Sequence, residues 1–354
     1  MNVMPVTVFL ILLAIMGTHV SSEPDVQTVP ESHAWEVLRT RLDVEERSWL
    51  LMWDGSDQGQ LLIEEYLRTY PSGDHREQAL YLKAVGYWNV YDYANAVDAY
   101  GRYIEMSRHE QRLSLAMTRH LQSLLRSDRP SEAITLAAKY SSRPGSEQRE
   151  LVVVDALLLQ GKPDVARTLL EGMIRKAAQD ASRSRMLTSL EDRLTQIDLI
   201  GKPLPSFDIK AWRTGRSLTP QTFHGRILLL EFWATWCKPC MVQMPKLVGL
   251  YERHHEQGFD ILGVDLDEDP SRLAAVVDGL GMTWPQFNDE RKWKNSMAVD
   301  FNVRRIPHAI LVDRSGIVRY VAPPASALDR LVLKLLEESA SERPGDPVEK
   351  QHGR

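Results

Sequence analysis

The 354-residue sequence predicts a multidomain chain, an all-α region built from paired helices followed by an α/β unit. Three observations predict it. From Trp35 to Ile200 the chain is rich in Leu, Ala, Glu, Arg and Gln at helical spacing, interrupted only by short breaks. Near Ile200 the run Gly201-Lys202-Pro203-Leu204-Pro205 ends that pattern, and apolar stretches of strand length begin. The length itself exceeds what one hydrophobic core ordinarily organises. The expected boundaries are 1–22, 23–199, 200–338 and 339–354, the last a polar, Pro- and Gly-bearing tail expected to be disordered.

The first 22 residues have the anatomy of an export signal: an apolar run from Val6 to Met16, then Gly17 and small residues ending Val20-Ser21-Ser22. That run is about half the roughly 20 residues needed to cross a bilayer as a helix, so cleavage near Ser22 is expected rather than a permanent anchor. No Lys or Arg precedes the apolar run, which leaves an uncleaved anchor and a mis-assigned start codon open. The expected location is therefore outside the cytoplasm, in a periplasm or at the exterior of the cell envelope.

Within 23–199 the breaks fall at Pro71-Ser72-Gly73, Asp128-Arg129-Pro130, Arg143-Pro144-Gly145 and Gly161-Lys162-Pro163, and no strand is expected from Trp35 to Ile200. Tyr93-Ala94-Asn95-Ala96-Val97, Ser131-Glu132-Ala133-Ile134 and Asp164-Val165-Ala166-Arg167 align on Ala96, Ala133 and Ala166, at offsets of 37 and 33 residues. The segment Gln78 to Met106 resembles a tetratricopeptide hairpin, whose period is about 34 residues. An ordinary helical bundle, with the aromatics simply in its core, is the alternative.

In the second unit, Ile227–Phe232 and Phe259–Val264 read as strands, and Met241–His254 and Ser326–Leu336 as helices. Ala309–Val312 and Ile317–Val321 flank Asp313-Arg314-Ser315-Gly316, a hairpin turn. The alternation describes an α/β sandwich.

The chain has two cysteines, Cys237 and Cys240, three positions apart. A disulfide closing so short a loop removes little unfolded-state entropy, so its use is chemical rather than structural. The pair follows an apolar strand and opens a helix, where the positive helix end and Lys238 lower the pKa of Cys237 and raise its thiolate fraction. Cys237 is the expected nucleophile. Cys240, one turn on, is the resolving thiol that attacks the mixed disulfide. With 43 Lys and Arg against 48 Asp and Glu there is no basic excess, and nucleic acid is not an expected partner.

The stretch Phe232-Trp233-Ala234-Thr235-Trp236-Cys237-Lys238-Pro239-Cys240 resembles the exported TlpA/ResA-like family of thioredoxin-fold thiol-disulfide oxidoreductases. Gly201-Lys202-Pro203 with Phe207 resembles the family's entry strand. Gly263-Val264-Asp265 with Asp267-Glu268-Asp269 resembles its central strand, and Phe301 to Pro307 the segment ending in its cis-proline. The resemblance implies a thioredoxin-like fold over 200–338, a redox-active Cys237/Cys240 disulfide with no further cofactor, and a cis Pro307 opposite the pair. It also implies Trp236 and Ile306 as substrate contacts and Glu231 as the buried proton acceptor for Cys240. Without the resemblance Pro307 would be read as trans, and Glu231 also fits a solvated strand end.

Gln243 stands where many members carry Glu three residues after the second cysteine, so a group able to tune the pair's pKa is absent there. Lys238-Pro239 resembles the dipeptide of reducing members. Protein disulfides are the implied substrates, with a membrane electron donor to recharge a reductant in an oxidising compartment and a protein partner for the helical region. A scaffold protein with a redox-inert thioredoxin-like module is the alternative. Cu(I) binding by the two thiolates is a third reading, incomplete because no Met or His cluster adjoins them. His254 and His255 are expected to be solvated, Trp284 and Trp293 to pack in core or groove, and His308 is a candidate to face the site.

Overall fold

The computed structural model describes residues 29–341, apart from 44, 48, 49, 53 and 54. The segment 1–22 lies outside the described residues, as do residues 342–354 of the expected tail; residues 339–341 continue the last helix.

Helices α1 (Glu31–Arg41) and α2 (Asp57–Thr69) flank a small antiparallel pair, β1 (Glu45–Arg47) and β2 (Leu50–Met52). This corrects the expectation of no strand before residue 200. Three-residue strands contain too few alternations to leave a period-two signal in sequence.

Three hairpins follow. Helix α3 (Arg76–Asn89) pairs with α4 (Tyr93–Met106), α5 (Glu110–Arg126) with α6 (Pro130–Lys139), and α7 (Ser146–Leu159) with α8 (Pro163–Ala177). Each turn closes the same way. Tyr91, Asp128 and Gly161 take left-handed φ values of 63°, 55° and 72°. The next N–H, of Asp92, Arg129 and Lys162, then donates to the carbonyl of Tyr87, Leu124 and Leu157, each at 2.9 Å. That is the six-to-one bond that satisfies a helix C-terminus. Ala96, Ala133 and Ala166 lie in the first turn of the second helix of each hairpin and are buried, so the paired helices meet without an intervening bulky side chain. Helix α9 (Ser184–Ile197) ends the helical region.

Beyond it, β3 (Ile209–Lys210) and β4 (Ser217–Leu218) form a short pair. The main sheet has the order β7-β6-β5-β8-β9. Its centre is β5 (Ile227–Trp233), parallel to β6 (Phe259–Asp265), which is parallel to β7 (Gln286–Phe287). On the other side β8 (His308–Val312) runs antiparallel to β5, and β9 (Val318–Val321) antiparallel to β8. All seven residues of β5 are buried, which is why its sequence is an almost unbroken apolar run rather than an alternation. Helices α10 (Lys238–His254), α11 (Pro270–Leu280), α12 (Ser296–Asp300) and α13 (Ala325–Ser341) complete the unit. The entry segment lies beside β9, with the Gly201 N–H on the Val318 carbonyl at 2.8 Å and the Val318 N–H on the Lys202 carbonyl at 2.9 Å. His254, expected to be solvated, is instead buried at the end of α10 with its Nε2 3.0 Å from Asp329 Oδ1 on α13. Trp284 is in the core and Trp293 is exposed.

The helical region is seated on the sheet unit. Leu121, Leu125 and Leu159 of α5 and α7 belong to the same apolar cluster as β5 and β8. Arg330 of α13 forks onto Asp128, with Nε and Nη2 each 2.7 Å from a carboxylate oxygen. Asn302, just before the Pro307 loop, gives its carbonyl to Gln196 Nε2 at 2.9 Å and its amide to Asp192 Oδ1 at 3.1 Å.

Next to the end of β5, Trp233 Nε1 donates to Gln286 Oε1 at 3.2 Å. A Cβ on Gly263 of β6 would meet that oxygen at 1.9 Å. Gly263→Ala is therefore expected to expel the Gln286 side chain and cost about 1–3 kcal/mol by urea unfolding. Gly263→Ala/Gln286→Ala, which removes the clashing group, should recover part of that loss, giving a non-additive cycle.

Candidate functional site

Strand β5 carries the chain to the site and ends at Trp233; a three-residue turn then leads to Cys237, the residue before α10. The turn is fixed from behind. Asp267, buried just past β6, accepts the Thr235 N–H at 2.7 Å and the Thr235 hydroxyl at 2.9 Å. Cys237 caps α10, its Sγ accepting the Cys240 N–H at 3.3 Å. The sulfur therefore sits at the positive end of a 17-residue helix, where negative charge is favoured.

Cys237 and Cys240 are joined as a disulfide. Cys240 is fully enclosed, whereas Cys237 retains 5% of its surface. Trp236 is 44% exposed and lies 6.0 Å, centroid to centroid, from the similarly open Trp293. Two indoles, Trp236 beside Cys237 in the chain and Trp293 against Trp236, thus present apolar surface to solvent.

Glu231 is buried in the centre of the sheet, opposite Gly263 on one side and Ala309 on the other. Its Oε1 accepts the Gln243 amide at 2.6 Å. Burial drives its pKa well above the usual carboxyl range, and the Gln243 bond opposes that only in part. Gln243 is three residues beyond Cys240 on α10 and so shares its face, which ties the carboxyl to the helix of the Cys pair. In sequence, position 243 lacks an acid; in the structure its amide is the hydrogen-bond partner of Glu231. A second buried carboxyl, Asp265, is pushed up to about 8 by burial and by neighbouring Asp267, while Asn288 donates to it at 2.5 Å.

The Ile306–Pro307 peptide is cis and immediately precedes β8. Ile306, Pro307, Glu231 and Gln243 line one cleft of about 580 Å³ between the sheet unit and helices α5, α7 and α9. Cys237, Cys240 and Trp236 are not part of that lining. His308 is, and it is buried, with its ring 6.0 Å from that of Phe232. Among the described residues no group of three or more His, Cys, Asp or Glu side chains is arranged to hold a metal ion.

A five-stranded mixed sheet, a Cys-x-x-Cys disulfide opening the helix after its central strand, and a cis-proline before the antiparallel strand define a thioredoxin-fold domain. Residues 200–321 match the model of the AhpC/TSA family. The chain is 30% identical over 117 residues to the thiol-disulfide oxidoreductase ResA of Bacillus anthracis, an alignment covering 33% of this chain and 65% of that protein. It is 29% identical over 122 residues to ResA of Geobacillus kaustophilus, covering 34% and 68%. The chain thus spans just under two-thirds of the length of the first curated relatives it matches. Among solved structures it is similar to the thioredoxin domain of a thiol-disulfide oxidoreductase from Bacteroides vulgatus, at 23% identity over 39% of this chain and 97% of that one, with a TM-score of 0.36. A thiol-disulfide oxidoreductase from Bacteroides fragilis gives 26% identity, 38% and 99% coverage, and a TM-score of 0.36.

A carboxyl whose pKa is raised by folding binds its proton more tightly in the folded state. Below about pH 4 Glu231 is protonated in both states; as pH rises through the unfolded value of about 4.3 towards the raised folded one, its contribution to stability falls. Glu231→Gln cannot ionise. The stability of wild type relative to Glu231→Gln is expected to decline steadily with pH above about 4.3, measured by urea unfolding at a series of pH values. A difference that does not change with pH would show an unshifted carboxyl.

Proposed function

We propose that the chain is an exported thiol-disulfide oxidoreductase that reduces disulfides in partner proteins through Cys237 and Cys240. The single observation carrying the reading is the Cys237 sulfur capping α10, bonded to an enclosed Cys240 whose helix face is tied to a buried carboxyl. In the reduced protein the Cys237 thiolate attacks one sulfur of a partner disulfide. A Cys237–partner disulfide forms, and the partner's other sulfur leaves as a thiolate that takes up a proton. Cys240 then loses its proton to the Glu231 carboxylate and attacks the Cys237 sulfur, which releases the second partner thiol. Two electrons pass from the dithiol to the partner, and Cys237–Cys240 is left oxidised. A carboxyl with a raised pKa is the stronger base for a thiol, which suits Glu231 to this proton.

Export is supported by the signal-like first 22 residues, and an electron donor in the membrane is the class of partner that would restore the dithiol. Among the described residues no helix is long and apolar enough to cross a membrane. Ile306 and Trp236 are assigned to substrate contact, Ile306 through its backbone beside Pro307. The three equivalent hairpins favour a second reading, in which a tetratricopeptide-like array holds a protein partner and the redox domain is subsidiary.

The deciding measurement is the reduction potential of the Cys pair, equilibrated against glutathione or dithiothreitol, with Cys237→Ala as control. A two-electron transition near about −270 mV is expected for a reductant, whereas one near −120 mV would make the protein an oxidant. Cys240→Ser should accumulate a mixed disulfide with its partner, seen on non-reducing gels, and Cys237→Ala should lower exchange at least about a thousandfold. Absence of any reversible transition, with partner binding kept in Cys237→Ala, would leave the scaffold reading.

A further inference from the structure

The cleft beside Pro307 carries more charge than an extended polypeptide backbone alone would call for. Four arginines line it: Arg126 and Arg193 from the helical region, Arg304 and Arg305 from the loop before the cis-proline. Its acidic groups are Asp155, Asp192 and Glu231. Glu231 is held towards its neutral form by burial. Asp155 is taken by Arg193, whose Nη2 is 2.5 Å from its Oδ1, and Asp192 accepts the Asn302 amide. Arg126 lies over the rings of Tyr93 and Trp88, and Arg304 donates through Nε to Asn302 Oδ1 at 2.9 Å.

Arg305 is different. Among the described residues its guanidinium makes no hydrogen bond and no ion pair, although it lies in the field of Arg193, Arg126 and Asp155. The surrounding protein depresses its pKa, with Arg193 and Arg126 adding to that effect and Asp155 opposing it. Three residues on, His308 is 97% enclosed, lines the same cleft, and has an Nε2 with no hydrogen-bond partner. Burial, then the Arg193 and Arg305 charges, push the His308 pKa down to about 3, so the ring is neutral and offers a hydrogen bond rather than a charge. A buried polar atom without a partner is rare, and His308 Nε2 is one; Arg305, in the same cleft lining, is exposed and offers five guanidinium donors that no anion of the described residues takes.

We propose that this cleft selects partner proteins carrying an Asp or Glu close to their reactive cystine, with Arg305 reading the carboxylate. The proposal rests on the oxidoreductase reading and names its substrate class. Arg305 immediately precedes Ile306, so a partner strand lying along Ile306 brings the residues flanking its cystine within reach of the guanidinium. The fork binds a carboxylate through two parallel N–H bonds, which neither the strongly hydrated ammonium of a lysine nor a neutral amide reproduces. An anion there also relieves the mutual repulsion of Arg126, Arg193 and Arg305.

The test uses the whole protein, pre-reduced, with two synthetic peptides that each hold one intramolecular disulfide and differ only in Asp or Lys on both sides of the second cysteine. Stopped-flow exchange gives kcat/KM for each. Wild type is expected to prefer the Asp peptide by about 10- to 100-fold, the range of one charge-assisted hydrogen-bonding site. Arg305→Gln should bring the ratio towards one, Arg305→Glu should invert it, and Arg305→Lys should restore part of it. A wild-type ratio near one, or a preference unchanged in Arg305→Gln, overturns the proposal. Neutral 2-hydroxyethyl disulfide separates the two levels of failure. If wild type reduces it without preferring the Asp peptide, only the charge reading falls; if wild type reduces neither peptide nor this disulfide, the oxidoreductase reading falls and the proposal with it.

Discussion

A carboxyl enclosed in the middle of a β-sheet is the constraint from which the rest of the site follows. Glu231 has strand neighbours on both sides and one side-chain donor, Gln243. Burying an ionised carboxyl with a single partner costs several kcal/mol, so the group binds its proton more tightly than an exposed carboxyl does. A carboxyl with a raised pKa is the result, attached through Gln243 to the helix that begins with the cysteines. The remaining β5 residues are apolar and buried, so the sheet has the hydrophobic burial to tolerate this one unfavourable position.

The helical region is not a separate bead on a linker. Leucines of α5 and α7 enter the apolar cluster of the sheet unit, Arg330 clamps the turn residue Asp128, and α9 holds Asn302 through Gln196 and Asp192. Asn302 is itself in a left-handed conformation, at φ 50°, which an asparagine adopts more readily than most residues. The loop carrying Arg305, Ile306 and Pro307 is therefore positioned from the helical side as well as by β8. One wall of the cleft is made by helices that a lone thioredoxin-fold domain does not possess.

Some of this was legible from residues alone. Ile227–Phe232 and Phe259–Val264 announce themselves because strands buried on both faces are largely apolar, and a Cys-x-x-Cys after such a strand has few structural uses. The Ala96, Ala133 and Ala166 spacing was legible because the helical turns at Tyr91, Asp128 and Gly161 are copies of one geometry. The hairpin of β1 and β2 was not, being too short for a period. His254 reads as polar and solvated until α13, 75 residues later in sequence, brings Asp329 to it. The pairing of Gln243 with Glu231, across 12 residues and two different elements, belongs to the same class: contacts made by topology leave no local pattern.

The amide at position 243 also alters what the site can be electrically. Two carboxyls at 231 and 243 would interact as like charges, splitting their titrations and coupling the ionisation of one to the other. Gln243 avoids that coupling while keeping a donor on Glu231, so a single buried acid is tied to α10. The second raised carboxyl, Asp265, is linked to the site by a different route, since its neighbour Asp267 holds the Thr235 backbone just before Cys237. The helix that carries Cys240 and the turn before Cys237 are thus each tied to a different buried acid, Glu231 on the central strand and Asp267 just past the next.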